Sequence, residues 1–238
     1  MNLAFNSRRS AVYATHGMAA TSQPLASQTA LSILQSGGTA ADAAVAAAAT
    51  LNLTEPGSTG IGGDMFLLYY DARTMQVSAL NGSGRAPGEL TIERIEREGL
   101  RSGDAIADPF HAHCVTVPGA CAGWAETLKR HGRMTFKEVL APAILLAEEG
   151  FPVAPLTSYA WQRGVERQLG LKHRGDELTI GGRAPYVGDR FKNPGLAKTF
   201  RTVAAGGEEA FYTGDIARKL VAAVQKHGGV MTRSEERR

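Results

Sequence analysis

The run AADAAVAAAATL, residues 40–51, carries almost nothing larger than a methyl group. Alanine is the best helix former, and Thr39 with Asp42 three residues on is the capping-box pattern that starts a helix. So little side-chain bulk stabilises a fold only where neighbouring backbones approach closely. The run therefore predicts a helix buried against a sheet or another helix, and it demands partners from the rest of the chain.

The flanking sequence supplies them. Ser22 is placed to cap a preceding helix whose apolar positions Leu25, Ala26, Ala30, Ile33 and Leu34 share a face, ended by Gly37 and Gly38. Downstream, EPGSTGIGGDMFLLYY sets four glycines before residues 65–70, which are apolar without alternation. That pattern predicts a strand covered on both faces, and residues 76–80 return as its hairpin partner. Small strands are expected over 12–14 and 114–117, a loop over 81–89 and a charged helix over 91–98. Pro118 opens a further helix running to about His131. Thr135 and Glu138 repeat the capping box, with Met134 and Val139 at staple positions. Pro142 predicts a kink or restart in that helix, which ends at Gly150. Residues 151–192 read as irregular, and helices follow over 196–205 and 214–227. Helices, then a hairpin, then helices fit an α+β or layered α/β sandwich better than repeated βαβ units. With no repeat and no linker, residues 1–238 read as one domain.

Composition excludes several functions. Apolar residues make up 43% and charged residues 21% of the chain, the balance of a soluble globular protein. The net charge of +3 is spread along the chain with no basic segment interleaved with aromatics, so nucleic-acid binding has no support. Cys114 and Cys121 cannot form a disulfide framework. No signal-peptide core precedes residue 18, and the alanine run is too short and too polar to span a bilayer. These features together point to a cytoplasmic protein.

The glycine loop is no phosphate cradle. Such a cradle needs strand, glycines, then a helix N-terminus, whereas here a helix presents its carbonyl end to the glycines. The glycines either take φ > 0 and pack tightly, or they line a site. A φ > 0 conformation at Gly62 or Gly63 would make alanine there cost about 1 kcal/mol. His111, His113, Cys114 and Cys121 match no zinc-ligand spacing, and read as loop histidines and packed cysteines. No serine lies in a Gly-x-Ser-x-Gly or Ser-x-x-Lys motif, so no nucleophile can be assigned from spacing.

Three runs carry a further likeness: ATSQPLASQTALSILQSGGTAADAAVAAAATLNLTEPGSTGIGG, TVPGACAGWAETLKRHGRMTFKEVLAPAILLAEEGFPV and NPGLAKTFRTVAAGGEEAFYTGDIARKLVAAVQKHGGVMT. In order and spacing they resemble the large-subunit half of the γ-glutamyltransferase (glutathione hydrolase) family. The resemblance implies part of an N-terminal-nucleophile hydrolase fold, an αββα sandwich. Members are precursors that cut themselves before a threonine. The freed threonine of the small subunit attacks a γ-glutamyl or related amide, its own α-amine serving as base. No metal or organic cofactor is implied, and the partners are the small-subunit portion and a small-molecule amide. No catalytic residue is expected in this chain.

Two departures refine that expectation. Glutamyl-specific members carry Arg-Glu-x-Ala-Pro after the hairpin, and that arginine pairs with the substrate carboxylate. Here the segment is NGSGRAP, so Ser83 takes the arginine's place when Ala86 and Pro87 anchor the match, and Arg85 lies two residues later. Ser83 and Arg85 are the candidate substrate-binding residues, and Gly60, Gly62, Gly63 and Asp64 the site-lining loop. Asp64 replaces a further glycine of the usual loop. This pattern resembles the acylase and amidohydrolase branch, oxamate- and cephalosporin-acylase-like enzymes included. The sequence also ends where family members continue, which leads to the expectation of an N-terminal portion, inert and poorly folded alone. The rival reading is a non-catalytic remnant or partner subunit with a binding role only.

Overall fold

The computed structural model describes residues 10–165 and 176–232. Helix α1 (Pro24–Gln35) is capped one residue later than expected. Gln23, rather than Ser22, accepts from the Leu25 and Ala26 amides at 2.6 and 3.3 Å. Pro24 brings no donor to the first turn, and the longer amide side chain reaches the next two. Ser22 donates its hydroxyl to Glu55 instead, at 2.8 Å. The backbone over 12–14 is exposed and forms no strand, since no described neighbour lies beside it to complete a ladder.

Helix α2 (Ala40–Thr54) begins with the predicted capping box. Its alanines meet other helices: Ala26 and Ala30 of α1 pack with Ala43, Ala46 and Ala49 in one core. The Asp42 carboxylate is fully buried. It accepts from Thr39 N at 2.7 Å, and from Arg133 N and Met134 N at 3.0 and 3.3 Å. One side chain therefore caps α2 and also fixes the turn ahead of a later helix.

Strands β1 (Met65–Asp71) and β2 (Gln76–Gly82) form the expected antiparallel hairpin, with Leu67 opposite Leu80 and Tyr70 opposite Val77. Helix α3 (Ile92–Arg97), capped by Thr91, leads to the two-residue strands β3 (Arg101–Ser102) and β4 (Ala105–Ile106). Residues 112–114 make a 3-10 turn and 115–117 run extended without a ladder, so the expected strand over 114–117 is absent.

Helix α4 (Ala120–His131) covers one face of the hairpin. Met65 lies over Gly123, where a Cβ would stand 2.5 Å from Met65 Cγ, and His131 stacks on Tyr69 at 3.9 Å. The other face is open: Phe66, Leu68, Tyr70 and Val77 are between 54% and 78% exposed. The expectation of a strand covered on both faces is thus corrected. An unbroken apolar run registers what a strand is suited to meet, and among the described residues only α4 is there to meet it.

Helix α5 (Phe136–Glu149) starts with the Thr135–Glu138 capping box and runs through Pro142 as one element, rather than restarting there. Residues 151–192 are more ordered than their composition suggests. Strand β5 (Phe151–Pro152), helix α6 (Pro155–Gly164) and strand β6 (Arg190–Phe191) gather Phe151, Trp161 and Phe191 into a second core. Helix α7 (Pro194–Tyr212) packs along α5, where Arg201 grips Glu148 through two bonds of 2.6 and 2.7 Å. Gly207, at φ 66°, breaks its helical path. Tyr212 then donates to Pro118 O at 2.8 Å and accepts from Ala122 N at 3.0 Å, tying the end of α7 to the start of α4. Helix α8 (Asp215–Lys226) follows.

Replacing Asp42 by alanine removes the buried acceptor of the Thr39, Arg133 and Met134 amides. The expected loss is about 3 kcal/mol or more in a urea melt, with Asp42→Asn falling between the two.

Candidate functional site

The loop leaving α2 is built from backbone bonds. Glu55 N closes on Leu51 O at 2.8 Å, Ser58 N on Glu55 O at 2.9 Å, and Gly63 N on Gly60 O at 3.0 Å. The Gly63 carbonyl then accepts two donors from the start of α4, Gly119 N at 3.0 Å and Ala120 N at 2.9 Å. Gly119 has no side chain with which to cap α4, so this carbonyl does the capping. That helix N-terminus is consequently filled by protein, and the C-terminal end of α2 faces the loop as well. Neither feature suits a phosphate, in agreement with the sequence.

Three segments converge here: residues 60–64, 82–85 and 116–120. Asp64 Oδ1 accepts from Gly84 N at 2.6 Å. Asn81 Oδ1 accepts from Ser83 N at 2.9 Å, and Arg85 O accepts from Val117 N at 2.9 Å. The backbone of the Ser83–Arg85 turn is held at every residue. Its side chains are not: Ser83 and Arg85 are exposed, as are Asp64 and Gly62. Among the described residues the Arg85 guanidinium makes no hydrogen bond or ion pair.

The reason for glycine differs from the sequence expectation. Gly60, Gly62 and Gly63 all lie outside the positive-φ region. Gly60 and Gly62 have open space where a Cβ would project, and Gly63 would meet only Gly60 O, at 3.3 Å. The positions that require glycine are Gly84 and Gly119. A Cβ at Gly84 would stand 2.1 Å from Val117 O, and one at Gly119 would stand 2.2 Å from Gly82 O. The contribution of residues 116–120 was missed from sequence. The Val-Pro-Gly of residues 117–119, a breaker pair directly ahead of a helix, was the available signal.

Other candidates separate from this cluster. A cleft of about 320 Å³ lies between the loop residues 55–58 and α6, walled by Leu156, Trp161 and Leu178. None of Gly60, Gly62, Gly63, Asp64, Ser83 and Arg85 lines it. Ser78 Oγ lies 3.3 Å from His131 Nε2, but the imidazole is stacked under Tyr69, and no ion pair to a carboxylate orients it among the described residues. The histidine pair is structural. His113 is buried with Nε2 2.8 Å from Glu98, and His111 Nδ1 accepts from His113 N at 3.1 Å. Burial pushes the Cys121 thiol up to about 12, which leaves it inert at neutral pH. Among the described residues no group of three His, Cys, Asp or Glu side chains is placed to hold a metal. No helix among them is long and apolar enough to cross a membrane.

Two tests follow from this geometry. Gly84→Ala and Gly119→Ala should each destabilise by about 1–3 kcal/mol through backbone collision, whereas Gly62→Ala stays within about 0.5 kcal/mol; thermal melts compare them. The Glu98 carboxyl is held below the ordinary 4.5 by its bond to His113, with Arg94 adding to it. A folded value below the unfolded one means the stabilisation is complete above about pH 4.5 and is lost as pH falls through the folded value. Denaturant melts should therefore show a flatter acid limb for Glu98→Gln than for the wild type.

Comparison with known proteins agrees with the fold. Residues 26–235 match the family model for gamma-glutamyltranspeptidase. The chain is 36% identical over 221 residues to a glutathione hydrolase-like proenzyme of Bacillus subtilis, covering 93% of this chain and 41% of that protein. Among solved structures it superposes on a cephalosporin acylase from Bacillus halodurans with a TM-score of 0.89 at 41% identity, over 98% of this chain and 44% of the other. The Helicobacter pylori gamma-glutamyltranspeptidase gives a TM-score of 0.86 at 28% identity, over 96% and 65%. The fold is thus a part of the N-terminal-nucleophile hydrolase sandwich, in which α4 backs the β1–β2 hairpin. With the family model matching most of its length, the chain belongs to the gamma-glutamyltranspeptidase family.

Proposed function

We propose that this chain is the large-subunit portion of an acyl hydrolase or transferase that cleaves small amides. Its nucleophile is a threonine outside the 238 residues, on a portion of the kind its longer relatives carry. In that reading the threonine hydroxyl adds to the amide carbonyl while the α-amine takes its proton. The amine leaves, and water or an acceptor amine releases the acyl group. The observation that carries the proposal is the Ser83–Arg85 turn. Its backbone is fixed from three sides while both side chains remain free for a substrate.

The open face of the hairpin supports the same reading. Phe66, Leu68, Tyr70 and Val77 form an apolar surface beside the glycine loop, suited to a second sheet from the remaining portion. On this reading the chain alone is inert, since among the described residues the one serine paired with a histidine, Ser78, has a base that no carboxylate orients.

Specificity follows from Ser83. A carboxylate without a bidentate arginine loses about 1.5–3 kcal/mol of charge-assisted binding, or about ten- to a hundredfold in affinity. A reconstituted full-length form should therefore hydrolyse simple acyl anilides with higher kcat/KM than γ-glutamyl anilides. Equal or better turnover of the γ-glutamyl substrate would sink this assignment. Arg85→Ala would then report whether Arg85 has taken over the carboxylate.

A further inference from the structure

We infer that Asp64 is a positioning residue for acyl selectivity: its bond to the Gly84 amide holds the Ser83–Arg85 turn so that Ser83, not Arg85, faces the acyl group. The inference rests on the proposed acyl-transfer role of this site. Asp64 and Gly84 are twenty residues apart, and the 2.6 Å contact is the side-chain link between the glycine loop and the turn. The remaining anchors of the turn, Asn81 on Ser83 N and Val117 N on Arg85 O, flank Gly84 without touching its amide. Gly84 itself has nowhere to retreat, because the space beside its Cα is filled by Val117 O, Thr116 Oγ1 and the Asp64 carboxylate.

A glycine at position 64 would offer no acceptor. The Gly84 amide would then need another partner, and the turn would be held only at Ser83 and Arg85. With its middle anchor lost, the turn presents Ser83 and Arg85 to a substrate without a fixed preference. Asp64 and Arg85 form no ion pair with each other among the described residues, so the carboxylate acts on the turn through the backbone and leaves the guanidinium uncommitted.

The test uses the reconstituted full-length form, with Asp64→Ala and Asp64→Asn beside the wild type. Two readouts are taken: hydrogen exchange at the Gly84 amide, and the ratio of kcat/KM for a butyryl anilide over a γ-glutamyl anilide. In Asp64→Ala, exchange should rise about tenfold or more, and the ratio should fall about threefold or more toward one. Asp64→Asn keeps an acceptor oxygen and should hold the ratio within about twofold of wild type. A general loss of stability would lower both substrates together and leave the ratio unmoved. Unchanged exchange or an unchanged ratio in Asp64→Ala overturns the inference. A ratio that collapses equally in Asp64→Asn also overturns it, because charge rather than the hydrogen bond would be the cause. Should Asp64→Ala fail to fold, Asp64→Gly, which also lacks an acceptor, takes its place with the same two outcomes expected. A wild-type enzyme without preference for the butyryl substrate instead refutes the proposed specificity, and the exchange readout still reports on Asp64.

Discussion

Close approach of backbones along α2 is the constraint on which the rest of the structure depends. Alanine at 43, 46 and 49 removes the side-chain layer that usually separates helices, so α1, α4 and α5 settle directly on the helix. Such packing tolerates no rotation or slippage, and it needs a register lock. Asp42 provides one, because its buried carboxylate must be surrounded by donors and the turn at Arg133 and Met134 brings them. The start of α2 and the start of α5 are therefore fixed by one side chain.

From that lock the site is built by backbone rather than by side chains. The end of α2 delivers the glycine loop, the Gly63 carbonyl caps α4, and α4 supports the hairpin that leads to residues 82–85. Carbonyl and amide groups are consumed within the protein, and the side chains of Ser83 and Arg85 are left outward. This division of labour suits a scaffold on which a specificity residue changes without disturbing the fold, since its side chain carries none of the packing.

What the sequence revealed followed physical range. Both capping boxes lie within three residues and were read correctly, as was the hairpin, whose strands are joined by a turn over residues 72–75. The cap of α1 was misplaced by one residue because glutamine rarely competes with serine for that role, and Pro24 tips the balance only in three dimensions. Helix α6 was hidden among glycine, proline and arginine, although Pro155 at its first turn and Trp161 on its buried side mark it in retrospect. The φ > 0 reading of Gly60, Gly62 and Gly63 fails for the same reason. Composition announces a loop at residues 57–63, but the collisions that require glycine at 84 and 119 involve atoms tens of residues away. Long-range contacts decide such positions, and no local pattern reports them.

The hydroxyl of Tyr212 has a consequence for the order of assembly. It bridges Pro118 O and Ala122 N, contacts that span 94 and 90 residues of chain. A ribosome must thus release nearly the whole of this segment before the entry to α4 acquires its final bond. Until then the Pro118 carbonyl and the Ala122 amide lack that partner. The entry to α4 is for this reason completed by the docking of α7 and not by the α1–α2 pair alone.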